Sequence, residues 1–583
     1  NTLSILDDLM KKKLLLFMGI LFIIISGMSS TYYLGGDDSR LFYVYPQEFL
    51  DNYISKIVSD TGVSQLTNLI PPTSLSAFTI IMIGLRNILY QFNLQALLNS
   101  ANLVGGFFAF YYLLNYLLKP TDKYERVICV LASFMYVFSI FNFYTLLNSR
   151  LIAEYLISLF PLSLYLGIKA IREGKFYLFI LATLIWSAFS FLSVTLPLSG
   201  AVLITSIPLL IFATWKHKIR IIAYLVGAGL LFAVLNLHWF MFIPYTNFSK
   251  NIPGSYTPSL TSVEFRKQNE IGIRTVSDIN NSFFPLLNSY HRKIQINFNW
   301  PHLPIYLSWY SKILILGYLL IAVVIIAGIR IEKNKQRKGI YVALVINFVL
   351  AVYFFTVNIG PWGVDVFLWL SNHIPGFVIF RNMFDKFAYA MAFQWAFLIS
   401  VSLIVIVKSI KKTMFKEYLL FAIFLIAIIN AKPFLLREFV NLPYWTSKYS
   451  HDGITAFNSD YLDLLKFVKN QDGVGRYLSL PLLTGNSVIV EGEKQKDHYY
   501  AGVSPLLLLT GKNDMSGLMS FGEHSNKVFK WLTKKDYDSF GQLLQQYNVK
   551  YIILSNSTSE DLQPSFMFSD GLFFLQTKSF FES

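Results

Sequence analysis

The chain has 583 residues, 54% of them hydrophobic and only 14% charged, against about 25% charged in a soluble globular protein. Its mean hydropathy of +0.49 excludes an ordinary soluble domain, and its single cysteine, Cys129, excludes a disulfide scaffold. The formal charge of +15 does not point to nucleic acid, because the basic residues stand in short clusters between apolar runs, as topology signals do.

Apolar runs of about 17–25 residues predict spanning helices. Eleven are read in chain order: 14–31, 98–118, 127–147, 152–170, 177–196, 199–215, 220–244, 306–329, 340–358, 387–408 and 417–432. The first run is followed by Gly35-Gly36-Asp37-Asp38 and not by a small-residue cleavage site, so it is read as a signal anchor and not as a cleaved leader. After it, Pro46 is placed as the first residue of a helix. Phe49, Leu50, Tyr53, Ile54, Ile57 and Val58 then recur with helical spacing opposite Gln47, Glu48, Asp51, Asn52, Ser55 and Lys56. That amphipathic helix suits a membrane surface. A second such segment, 74–92, follows the Pro71-Pro72 break.

Charge decides whether 74–92 spans. The basic clusters are Lys11–Lys13, Lys119 to Arg126, Lys169 to Lys175, Lys216 to Arg220, Arg330 to Lys338 and Lys408 to Lys416. If 74–92 lies in the interface, all of them fall on one side, which the positive-inside rule favours. The N-terminus is then cytoplasmic. The segments 32–97, 245–305, 359–386 and everything after 433 are outside. Three sequons, at Asn247, Asn280 and Asn556, fall there too, a weak signal.

The tail changes character. Ser459 heads a helix with Leu462, Leu465 and Val468 on one face, and RYLSL (476–480) reads as a strand. Phe540–Tyr547 and VKYIIL (549–554) repeat the unit, and 566–581 suggests a hairpin at Asp570-Gly571. The predicted fold is therefore an α-helical polytopic membrane protein, residues 1–432, with a small extracytoplasmic α/β domain, residues 433–583.

Adjacent residues cannot both face one way. One of Asp37 and Asp38 is therefore expected to face a cavity, and the other to hold the turn that Gly35-Gly36 permits. A plain hydrophilic exit from the membrane is the rival reading. In this setting the chain resembles a GT-C glycosyltransferase, a multi-spanning enzyme that takes sugar from a polyprenyl-phosphate donor. It is most similar to the arabinofuranosyltransferase D type and to YfhO-like membrane proteins. Their Gly-Asp-Thr-Lys-like motif after the first span is matched by Gly36-Asp37-Asp38-Ser39-Arg40, with the threonine and lysine replaced. The stretches Ser133–Gly167, His373–Tyr389, Arg476–Pro481 and Asn548–Leu554 resemble the same group. The Trp-Trp-Asp motif of oligosaccharyltransferases is absent.

The resemblance implies Asp37 as the base for the acceptor hydroxyl, with Asp38 as runner-up, and inversion at the anomeric carbon. Cations must stabilise the departing phosphate. Arg381, Lys386, Arg150 and His238 are the candidates. Arg40, Glu154, Trp309 and Trp362 are candidate substrate contacts, beside Trp300 and Trp369. Each has a plainer reading: an i,i+4 ion pair for Arg150 and Glu154, snorkelling for Arg381 and Lys386, and an interfacial aromatic belt for His238-Trp239 and the other tryptophans. No cofactor is certain, although two carboxylates with a phosphate could hold Mg²⁺ or Mn²⁺. The expected partners are the polyprenyl-phosphate sugar, a glycan or glycoconjugate acceptor and the bilayer, with no nucleic acid. The expected location is the plasma membrane. A lipid-linked glycan flippase or transporter is the alternative, as is a non-catalytic envelope-assembly protein of the same fold.

Overall fold

The structure is a computed structural model that describes residues 19, 22, 41–54, 73–90, 92–139, 142, 151–194, 196–241, 324–330, 332–357, 361–374, 377–380, 383–435, 457, 459–471, 475–480, 487–490, 498–501, 504–515 and 522–554. Most of the expected spans 14–31 and 306–329, the loop 245–305, the three sequons and the hairpin at 566–581 lie outside them.

Described helices are, in order, α1 (Ser76–Ile88), α2 (Leu94–Leu118), α3 (Lys123–Val137), α4 (Leu151–Glu173), α5 (Phe176–Ala188), α6 (Leu196–Thr214) and α7 (Lys218–Leu235). After the loop come α8 (Lys335–Thr356), α9 (Pro361–His373), α10 (Met383–Ser409) and α11 (Thr413–Leu435). The tail carries α12 (Ser459–Lys469), β1 (Arg476–Leu480), β2 (Ser487–Val490), β3 (His498–Ala501), α13 (Pro505–Thr510), α14 (Gly522–Lys534), α15 (Tyr537–Gln546) and β4 (Val549–Leu554).

By their internal contacts these elements form two compact units. One comprises Asn1–Ser30, Gln95–Leu235 and Leu260–Phe439, and the other Thr31–Leu94, Asn236–Ser259 and Val440–Ser583. The first is helical. Among the described residues five helical segments are long and apolar enough to cross a membrane: Leu94–Leu118, Glu154–Glu173, Pro197–Leu235, Lys335–Phe355 and Lys386–Ser409. α10 packs against α3, α6 and α8. Phe110, Tyr136, Phe393 and Phe397 interlock where α2, α3 and α10 meet, with Phe110 stacked on Tyr136 at 4.4 Å. α2 and α4 touch backbone to backbone, since a Cβ on Gly106 would stand 2.8 Å from the Ile157 carbonyl oxygen.

Two expected spans contain a break within their apolar runs. Within the run 127–147, α3 ends at Val137 and residue 142 is helical again; the Asn142 side chain donates to the Tyr136 carbonyl at 2.6 Å across the break. The run 177–196 yields α5 to Ala188. There Trp186 Nε1 donates to Ser193 Oγ at 2.7 Å and a separate turn, Phe191–Val194, follows. In both places a side-chain hydrogen bond crosses the break, inside a run that stays apolar.

The second unit is the mixed one. β1 and β4 pair in parallel, Leu478 opposite Ile552, and β2 and β3 pair antiparallel. Leu478, Leu480, Met515, Val528, Leu532, Phe540 and Leu543 form its core. The Ser459 helix buries Leu465 and Val468 against Tyr477 and Leu506, on the face that its spacing predicts. The segment after the first apolar run belongs to this unit. Pro46 opens a short helix that continues as a π-helical turn, Phe49–Ile54. Phe49 and Ile54 are buried, and Phe42 meets Phe49 and Phe78 at 6.0 and 5.9 Å. Asn52 Nδ2 donates to the Leu508 carbonyl at 2.8 Å, tying the turn to α13. The apolar side of 46–54 therefore faces protein, where an amphipathic membrane-surface helix was expected. α1 does keep an exposed apolar face, with Ile80, Ile81 and Ile88 open. At 1.5 Å per residue its 13 residues reach about 20 Å, short of the roughly 30 Å of a hydrocarbon core.

Candidate functional site

Two buried polar clusters lie at opposite ends of α10. Lys386 starts the apolar part of that helix and Lys408 ends it. Twenty-two residues separate them, about 33 Å along a helix axis, close to the thickness of a bilayer core.

At the Lys408 end the charges pair. Asp122 caps α3 by accepting from the Glu125 amide at 2.9 Å, which directs Glu125 into the helix cluster. Glu125 Oε2 lies 3.0 Å from Arg337 Nη2 and Glu125 Oε1 lies 2.8 Å from Lys408 Nζ. The Thr121 amide donates to Glu125 Oε2 at 2.8 Å. Glu332 stands 3.9 Å from both cations. Three helices, α3, α8 and α10, are thereby joined through one carboxylate. Two of the cations read from sequence as topology signals, Arg337 and Lys408, hold this network together.

At the other end lie two of the sequence candidates. Lys386 is buried and so is Glu154, on α10 and α4 respectively. One turn after Lys386, Tyr389 Oη donates to the Leu156 carbonyl at 2.6 Å, and Leu156 is two residues after Glu154. Both charged residues are thus held within about a turn of the same α4–α10 hydrogen bond. Tyr136 of α3 donates to the Ile157 carbonyl at 2.8 Å, and its oxygen is 2.6 Å from that of Tyr389. From α2, Asn102 Nδ2 donates to the Glu154 carbonyl and its Oδ1 accepts from Ser158 Oγ at 2.5 Å. Four helices converge here, and beside them Phe354, Phe377, Phe380 and Phe387 pack ring against ring. The arrangement offers a buried cation and a buried carboxylate in a water-poor setting, where charge–charge effects are strong.

Asp37, Asp38, Arg40, Arg150, Arg381, Trp300 and Trp309 lie outside the described residues. His238 belongs to the second unit and is exposed on the short helix Leu237–Phe240, while Trp239 beside it is buried and donates to Asn236 Oδ1 at 3.1 Å. Trp362 and Trp369 are exposed on α9, and Trp369 stacks on His373 at 4.9 Å. Among the described residues no group of three or more His, Cys, Asp and Glu could hold a metal ion. Sequence reasoning passed over Tyr136, Tyr389, Asn102 and Asn142. The available signal was a proline, Pro161, inside an apolar run, because a helix bent there must have its freed carbonyl met by some neighbour.

No known family model matches the chain, and no curated protein matches it.

Proposed function

We propose that this protein is a membrane glycosyltransferase of the GT-C type that moves a sugar from a polyprenyl-phosphate donor to an extracytoplasmic glycan, lipid or protein acceptor. In this reading the chain crosses the plasma membrane eleven times, with its N-terminus inside and its C-terminal α/β part outside. The observation that carries the reading is that Lys386 and Glu154 are both buried, three and two residues from the Tyr389–Leu156 hydrogen bond that joins α10 to α4. A charge inside a membrane-spanning bundle is costly and marks function. The acidic motif at Asp37-Asp38, after the first apolar run, is the expected source of the base.

The chemistry follows from the groups. Asp37 takes the proton of the acceptor hydroxyl, with Asp38 holding the turn. The acceptor oxygen bonds to the anomeric carbon from the face opposite the phosphate, and the bond from that carbon to the phosphate oxygen breaks with its electrons on the phosphate. Configuration inverts. The phosphate gains a negative charge as it leaves, and Lys386, with Arg381 and Arg150, offsets it. Glu154 orients Lys386 or accepts sugar hydroxyls. His238, Arg40, Trp309 and Trp362 serve as outer contacts. A divalent ion at the Asp37-Asp38 pair would add charge to the same phosphate.

The test is transfer by purified protein in nanodiscs from a panel of polyprenyl-phosphate sugars. Lys386→Met is expected to lower kcat/KM by about 100-fold, the loss typical of removing one group that stabilises developing charge. An unchanged rate contradicts the assignment.

One observation favours the flippase reading. Pro208 lies inside α6, and beside it Gln394 donates to the Thr205 carbonyl at 3.3 Å and to Ser206 Oγ at 2.9 Å, with Asn347 3.3 Å away. Polar groups gathered inside a spanning bundle mark substrate paths in transporters. Movement of a fluorescent lipid-linked sugar across vesicles without transfer would select that reading.

A further inference from the structure

Pro161 lies inside α4. Proline has no amide hydrogen, so the carbonyl four residues earlier, that of Ile157, loses its helical donor. A buried carbonyl without a donor is costly. The hydroxyl of Tyr136 meets it at 2.8 Å. Gly106 brings α2 against the same carbonyl, where a side chain would collide, so no water has room on that side. Tyr389 completes the set with its 2.6 Å contacts to the Leu156 carbonyl and to Tyr136 Oη.

The proton count is informative. Three oxygen–oxygen contacts share two phenolic protons. Leu156 keeps the Phe160 amide as its regular i+4 donor, whereas Ile157 has none. The Tyr136 proton therefore belongs to Ile157, and the Tyr389 proton is left to join α10 to the rest.

We propose that Tyr136 and Tyr389 are positioning residues. Tyr136 replaces the amide that Pro161 removes and so holds α4 in its proline-interrupted form. Tyr389 then fastens that segment, which carries Glu154, at a set register against the turn of α10 that carries Lys386. The role in transfer rests on the reading of Lys386 and Glu154 given above; the hydrogen-bond replacement does not.

Two arms test this in the full chain in nanodiscs. In the first, thermal midpoints are compared for Tyr136→Phe, Pro161→Ala and the double variant. Tyr136→Phe is expected to lower Tm by about 2 °C or more, and Pro161→Ala to restore most of that loss, because an alanine at this position supplies the missing amide. Losses that simply add overturn the replacement. In the second arm, Tyr389→Phe is expected to keep Tm near that of the parent protein. Its kcat/KM should fall about 10- to 100-fold, as misplacement of reacting groups does, with most of the loss in kcat. An unchanged kcat/KM, or a loss matched by a fall in Tm, overturns positioning. Failure of the parent protein to transfer from any donor overturns the functional reading and the positioning role with it, while the rescue arm still decides the hydrogen bond.

Discussion

Replacing Arg337 by methionine keeps much of the side chain's length and removes its charge. Arg337 lies 3.0 Å from Glu125, and the two side chains are 8% and 1% exposed. Removing one member of such a buried pair costs about 3–5 kcal/mol, because the remaining charge stays buried. Glu125 keeps Lys408 at 2.8 Å and the Thr121 amide at 2.8 Å, which places the expectation at the lower end, about 3 kcal/mol. Lys408→Met removes a partner whose side chain is 42% exposed and should cost about 1 kcal/mol or less. Combining Arg337→Met with Glu125→Met takes both charges out together and should recover most of the loss. Unfolding in detergent with increasing SDS reads all four proteins. An Arg337→Met variant within about 0.5 kcal/mol of the parent, or a Lys408→Met variant that is worse, refutes the ranking by burial.

Further outcomes follow from the same structure. Gly106→Ala puts a methyl group 2.8 Å from the Ile157 carbonyl and should cost about 1–3 kcal/mol in the same assay, as overpacking does. In the second unit Asp536 accepts from the Ser539 hydroxyl at 2.7 Å and the Ser539 amide at 3.0 Å, which holds its carboxyl below the usual range. A depressed folded value means that this cap contributes fully above the unfolded carboxylate range, about pH 4, and is lost as pH falls through the lower folded value. Protection of the α15 amides, taken relative to the intrinsic exchange rate at each pH, should therefore fall below that range, and in Asp536→Ala it should be low at every pH. Spin labels at positions 80, 81 and 88, on the open face of α1, should be relaxed by oxygen more than by a water-soluble nickel complex, as for a helix lying in the interface; the reverse order would place that face in water.

Much of the fold was legible because hydropathy and turn chemistry act locally. The long apolar runs became α2, α4, α6, α8 and α10, and RYLSL and VKYIIL became the paired strands β1 and β4. What was not legible depends on distant partners. Nothing near Tyr136 announces that its hydroxyl meets Tyr389, 253 residues away. Likewise the breaks after Val137 and Ala188 fall within runs whose hydropathy continues. The face of 46–54 was read as amphipathic, but whether lipid or protein covers it depends on Phe78 and α13, which periodicity cannot supply. Strands β2 and β3, four residues each, are too short for alternation to register. Of the candidate site, Lys386 and Glu154 were legible as charges at the edges of apolar runs. The tyrosine and asparagine groups that hold them were not, since such residues are common within spanning helices.

The central claim is that the acidic pair after the first apolar run performs chemistry. Sugar transfer from polyprenyl-phosphate donors should be measured for the parent protein, Asp37→Asn and Asp38→Asn in nanodiscs, with thermal midpoints alongside. The account predicts that Asp37→Asn abolishes transfer at an unchanged midpoint. Full transfer by both variants would contradict it.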